Sequence, residues 1–278
     1  MKQISKVSIN KKLTIIFLTL LVSGLGTLAI SSKKTEQIAS YNFDTVQKNA
    51  QVFYTENIQQ VQNLVKNAYH SETPIRFSGA SHSTSSIILG PGVYLKSQRL
   101  NKIGEIKLDR VHGPTVEVES GVKLGDLSKY LSEKGYSLGF AYPFYYGVTI
   151  GGLLSTGSHG TSRKHTALSS QNILELQFVN GFGELITAGN ENPRLLKAAR
   201  VSLGLLGFIY KIKLKIYPDF NLQFFSEVKQ GQQALLASPN RVNWGTAADT
   251  EYFYWFPAFD RAVRVFGNIT QSKLDQGA

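Results

Sequence analysis

Two glycine- and hydroxyl-rich stretches constrain this chain more than any other feature: GASHS at 79–83 and GVTIGGLLSTGSHG at 147–160. Glycine has no Cβ, so the backbone can turn tightly and approach a neighbour closely. Serine and threonine add hydroxyl donors on short side chains. The first stretch directly follows the apolar strand pattern Ile75 to Phe77. Its backbone N–H groups, with Ser81 and Ser83 beside them, suit a phosphate or pyrophosphate. The second stretch repeats that chemistry through Thr149, Gly152, Gly157, Ser158 and His159. Either stretch alone reads as an ordinary turn, and His82 alone reads equally as a capping or hydrogen-bonding residue. Two of them in neighbouring αβ units point to one large phosphorylated cofactor.

Several familiar motifs fail. No GxGxxG lies between a strand and a helix, so the dinucleotide fingerprint is missing. Gly152 and Gly157 bracket LLST at the spacing of a Walker loop, but Ser158 and His159 follow where Lys and Ser/Thr are needed. There is no HExxH. His159 and His165 lack a nearby carboxylate, so no metal site is expected. A GxSxG nucleophile elbow is also absent. The chain has no cysteine, which rules out disulfides and thiolate chemistry.

Along the chain, Gln51 to Tyr54 reads as a short strand. Ile58, Val61, Leu64, Val65 and Ala68 follow at helical spacing, with Thr55 as N-cap. Thr115 to Glu119 alternates as a strand, and Leu124 to Leu131 forms a short helix stopped by Gly135. The stretch from Ser137 to Gly147 reads as an aromatic loop, and 147–160 as a Gly/Ser/Thr loop. Asn180 to Gly183 is a hairpin signal between two strands. Pro193 opens a helix to about Leu203. In the strand at 208–217, Lys211, Lys213 and Lys215 alternate with Ile212, Leu214 and Ile216, as on a solvated face, and discourage edge pairing. Strand patterns recur at 252–256 and 262–266.

The N-terminus carries Lys2, Lys6, Lys11 and Lys12 before an apolar stretch from Leu13 to Ile30. Basic, apolar and small-residue segments in that order predict a secretory signal, with an uncleaved anchor as the alternative. The protein is therefore expected to be exported, as a periplasmic or secreted protein, or anchored in a membrane through residues 1–31. Its net charge of +11 does not cluster. It reads as solubility or attraction to an anionic surface rather than as a nucleic-acid partner.

At this point the chain resembles a known family. IRFSGASHS (75–83), YLKSQRLNKI (94–103), VEVESGVKLGDLSKYLSEKGYSL (116–138), VTIGGLLSTGSHGTS (148–162), NILELQFVNGFGELI (172–186) and ENPRLLKAARVSLGLLGFI (191–209) carry the resemblance. They are similar to the PCMH-type flavin-binding domain of the vanillyl-alcohol oxidase superfamily, and within it to the aldonolactone and alditol oxidases. The match runs in order over roughly 45–218, and EYFYWFP at 251–257 resembles the opening strand of the family's substrate domain.

The resemblance implies an α+β protein with two αβ subdomains and FAD extended between them. It implies the flavin domain at 50–218 and an incomplete substrate domain at 219–278, after residues 32–49, whose polar composition reads as a linker. Phe77, Ser78, Gly79, Ala80, Ser81, His82 and Ser83 match the loop that wraps the pyrophosphate, and His82 matches a histidine often bonded covalently to the flavin. Thr149, Gly152, Leu154, Gly157, Ser158, His159, Thr161, Ser162, Arg163 and Lys164 match the stretch along the flavin and pyrophosphate. Ile209 matches a residue whose backbone meets the adenine side. The implied reaction takes hydride from an alcohol of a sugar lactone or polyol, with oxygen or a cytochrome-type acceptor reoxidising the flavin.

The family often has Asp where Ser86 stands, and its substrate-orienting Glu and Arg have no counterpart here. An oxidase is therefore one reading. A flavin-binding module that does not turn over is the other, or one completed by a second chain. A cationic cell-surface protein without cofactor is a third, which the intact loops disfavour. The aromatic loop Phe140, Tyr142, Phe144, Tyr145 and Tyr146 is expected to shelter the ring or to pack on the neighbouring subdomain. The sheet at 251–266 is expected to leave an apolar edge exposed, inviting a partner or aggregation.

Overall fold

Parallel strands need a crossover, and the first unit supplies one. The computed structural model describes residues 33–41, 46–139, 146–162, 169–230 and 248–270. β1 (Lys33–Ala39), β2 (Val46–Tyr54), β3 (Ile75–Ser78) and β4 (Val93–Lys96) form one sheet in the order β1-β2-β4-β3. β4 runs parallel to β2 and β3, and β1 pairs antiparallel with β2. Helix α1 (Ile58–His70) joins β2 to β3 and buries Val61, Val65 and Ala68.

Two local expectations change here. The cap of α1 is Asn57, whose side chain accepts from Gln60 N at 3.0 Å. Thr55 is buried instead and turns both its N–H and its hydroxyl to Lys96 O. The expected linker at 32–49 contains strand β1. Its residues are mostly polar because an edge strand buries little, and Ile38 is its buried anchor, at 1% exposure.

The second unit is a five-stranded antiparallel sheet. Its strands are β5 (Ile103–Asp109), β6 (Gly113–Glu119), β8 (Ile173–Val179), β9 (Leu185–Ala188) and β10 (Phe208–Lys215), ordered β5-β6-β10-β8-β9. A small pair, β7 (Tyr136–Ser137) with β11 (Tyr217–Pro218), flanks it. Helices α2 (Leu124–Glu133), α3 (Ile150–Ser155) and α4 (Pro193–Ala199) complete this unit. Its core joins Val116 and Val118 to Leu124, Leu127, Leu131, Ile150, Leu153, Leu176, Ile212 and Leu214. A second cluster unites Val61 and Val65 of α1 with Leu95, Val179 and Phe208, so α1 ties the two units together.

The alternation in β10 is as expected, but the edge role of its lysines is not. β10 lies between β6 and β8, with Lys213 bound to Asp109 at 2.9 Å. Pro193 stands at the start of α4 as expected, yet the helix stops at Ala199 rather than near Leu203, whose φ is +53°. The hairpin at 180–183 forms as read, with Asn180 Oδ1 accepting from the N–H groups of Phe182 and Glu184.

A third sheet, β12 (Asn221–Gln230), β13 (Thr250–Phe256) and β14 (Arg261–Thr270), has the order β12-β14-β13. Arg264 crosses it, bridging Glu227 on one side and Glu251 on the other, with its guanidinium over the Phe266 ring. Phe224, Val228, Tyr254 and Phe256 fall on one face by register, all four are exposed, and the strands that carry them, β12 and β13, are the outer strands of the sheet. Residues 1–31 and the aromatics Phe140, Tyr142, Phe144 and Tyr145 lie outside the described residues. Among the described residues no helix is long and apolar enough to cross a membrane.

Candidate functional site

Strand ends from both units meet at one place. β3 and β4 end side by side, where Ser97 N donates to Ser78 O at 3.2 Å. Leu100 O then accepts from Gly121 N, just beyond β6. Ser120 N donates to Tyr210 O of β10, and Ser120 O accepts from Gly151 N of α3. This backbone web forms the floor of a cleft of about 350 Å³ at the carboxyl ends of the parallel strands, a usual place for ligands in αβ units.

The two loops singled out in the sequence flank that cleft together. Phe77, Ser78, Gly79, Ala80, Ser81, His82 and Ser83 line it from the first unit, and Thr149, Gly152, Ser158 and Ile209 from the second. Gly79 is what lets the loops touch. A Cβ there would stand 2.0 Å from Thr149 Oγ1. Thr149 is wholly buried and caps α3, accepting from Gly152 N. Ser81 adopts φ +61°, a left-handed conformation that turns the loop sharply, and its hydroxyl lies 3.3 Å from that of Ser78. Among the described residues, the N–H groups of Gly79, Ala80 and Ser81 donate to no backbone carbonyl.

The second stretch is not wholly a loop. Ile150–Ser155 is helix α3, because its apolar face enters the core despite two glycines of low helix propensity. That explains why Leu154 points inward, at 2% exposure, and does not line the cleft. Four more expected residues also stand away from it. Gly157 takes φ +65° just beyond the cap of α3. His159 Nδ1 lies 3.1 Å from Gly160 O. The Thr161 hydroxyl meets that of Thr250, and Ser162 bridges to Thr250, so this end of the stretch docks on the third sheet. Arg163 and Lys164 lie outside the described residues.

The cleft also holds residues that sequence reading passed over. Tyr41 stacks on His82 with ring centroids 5.3 Å apart, and its N–H bonds Ser83 O. Gly147, of the second glycine-rich stretch and outside the lining, packs close to the imidazole, where a Cβ would be 3.1 Å from His82 Nε2. Leu203, Gly204, Gly207 and Phe208 also line the cleft. The glycines in SLGLLGF were a usable signal. Nothing local marked Tyr41.

The lining suits a large, polar, anionic cofactor such as FAD. Among the described residues no carboxylate lines the cleft, so an anion meets no like charge. Gly204, at φ +78°, faces open space, with only Phe77 within 4 Å of an added Cβ. Hydroxyls and backbone donors lie along one wall, and Ile87, Ile88 and Val148 supply apolar surface for a ring.

The pattern of the FAD binding domain family matches residues 50–189. The chain belongs to this family. D-arabinono-1,4-lactone oxidase of Kluyveromyces lactis is 31% identical over 227 residues, which is 80% of this chain and 42% of the relative. L-gulonolactone oxidase of Bos taurus is 28% identical over 232 residues, 81% of this chain and 50% of the relative. Cholesterol oxidase from Brevibacterium sterolicum shares the fold with a TM-score of 0.76 at 18% identity, over 89% of this chain and 50% of that one. The chain thus spans half or less of the length of these relatives, and the FAD binding domain lies within the αβ units that form the cleft.

Proposed function

We propose that this member of the FAD binding domain family holds FAD in the cleft and serves the oxidation of a CH–OH group on a sugar lactone or polyol. The supporting observation is that the Gly79–Ser83 loop and the Thr149 segment, far apart in sequence, form two walls of one cleft with His82 at its edge. The names of the lactone oxidase relatives support the substrate class. When bound, FAD supplies a two-electron acceptor. The chain's own part is to bind and orient. N–H groups of Gly79, Ala80 and Ser81 hold the pyrophosphate, Thr149 braces that loop, and Ile87, Ile88 and Val148 keep water from the ring. Tyr41 fixes the plane of His82, the proposed point of covalent attachment. Oxygen or a cytochrome-type protein is the proposed final acceptor. The basic and apolar N-terminus supports export or membrane anchoring.

The flavin domain is assigned no substrate-orienting Glu or Arg, so FAD binding and turnover are separate tests. FAD is added to the full chain, the protein is precipitated in acid, and flavin is measured in the pellet. The expected result is flavin retained in the wild type and released by His82→Ala. Flavin released wholly from both refutes covalent attachment and leaves binding intact. Oxidation of D-arabinono-1,4-lactone above a flavin-free control tests the substrate class.

A further inference from the structure

Ser120 carries a buried hydroxyl that has no hydrogen-bond partner among the described residues. Its residue exposure is 2%. Its backbone is fully committed: the N–H donates to Tyr210 O at 2.9 Å and the carbonyl accepts from Gly151 N at 2.8 Å. The neighbours hold it in place. A Cβ on Gly121 would lie 1.8 Å from Ser97 O, and one on Gly151 would lie 2.8 Å from Ser120 Cβ, so the segment is packed tightly on both sides. Ser120 is nevertheless among the residues that line the cleft, together with residues of both loops. Buried polar groups are paired in the great majority of cases, and an orphan in a cleft wall calls for a ligand partner.

We infer that Ser120 is a further cofactor-binding residue, its hydroxyl donating to an acceptor atom of FAD lying across the cleft floor. This rests on the proposed FAD function and adds to it a contact that neither glycine-rich loop supplies. Alanine at this position would be an easier choice for the protein alone, since it removes an unpaired buried group without adding volume. The expectation is a pair of opposite signs: Ser120→Ala weakens FAD binding and does not lower the stability of the apoprotein.

The test compares the full chain with and without Ser120→Ala, both in a His82→Ala background so that bound FAD stays exchangeable. FAD titration should give a dissociation constant raised about tenfold, as expected for one lost hydrogen bond. The thermal midpoint without FAD should be unchanged or higher. Ser120→Cys, which keeps a weak donor, should fall between. Titration with ADP and with riboflavin then shows which half of FAD loses the contact. Unchanged FAD affinity in Ser120→Ala overturns the inference, as does a lowered apoprotein midpoint, which would make the hydroxyl a purely structural group. A parent chain that binds no FAD overturns the functional reading itself and this inference with it.

Discussion

Gly79→Ala tests whether the two loops must touch. The added Cβ would sit 2.0 Å from Thr149 Oγ1 and 3.3 Å from Thr149 Cβ. Real Cβ contacts essentially never fall below 3.0 Å, so about 1 Å of separation must be found. Thr149 cannot yield it cheaply, because it is wholly buried and its Oγ1 caps α3 through Gly152 N. Overpacking costs roughly 1–3 kcal/mol and a lost cap about 1 kcal/mol. Both act through the same threonine and do not simply add, so the expectation is a loss of about 2 kcal/mol in stability. Because the loop moves away from its partner wall, FAD affinity measured in a His82→Ala background should fall by at least about tenfold. Urea unfolding of Gly79→Ala, Thr149→Ala and the double variant gives a double-mutant cycle. Removing Oγ1 should relieve the clash, so the double variant should be more stable than the sum of the singles predicts by about 1 kcal/mol or more. Strict additivity, or a neutral Gly79→Ala, would refute the close approach.

Three other outcomes follow from the same geometry. The Lys213 ammonium, aided by the N–H groups of Val111 and His112, holds the Asp109 carboxyl below the usual carboxylate range. Its stabilisation is therefore present above about pH 4 and is lost as pH falls through the lowered value, so the melting difference between wild type and Asp109→Asn should be full at pH 7 and vanish in strong acid. Arg264→Met should cost roughly 1–3 kcal/mol in urea unfolding, because it removes the guanidinium that offsets the charge of the largely buried Glu251 carboxylate. Tyr54, pushed up to about 12 by burial and by its hydrogen bond to Glu36, should show no phenolate absorbance below about pH 11, and Glu36→Gln should bring its titration down.

Local signals made much of this molecule legible. The period-two pattern of β10, the Asn180 turn and Pro193 each act within a few residues, so each is written in the sequence near where it operates. The two glycine-rich stretches were legible for the same reason, and the fold brings them to one cleft. What stayed hidden depended on distant pairing. Tyr41 reaches His82 because β1 pairs with β2 and the Tyr41 N–H bonds Ser83 O. No composition signal foretells such an edge strand. Gly151 and Gly152 lower helix propensity, so the sequence of helix α3 reads as loop. Tertiary contact decides there: Gly151 lies where a Cβ would crowd Ser120, and Leu153 and Leu154 enter the core. The same helix turns Leu154 away from the cleft, so the family resemblance marked a stretch in which some residues face the site and others support it.

FAD titration of the full chain carrying His82→Ala, so that bound FAD stays exchangeable, followed by quenching of flavin fluorescence, tests the central claim most directly. The account predicts saturable binding of one FAD per chain, weakened by Gly79→Ala and competed by ADP. A folded chain that leaves flavin fluorescence unchanged at every concentration would contradict it.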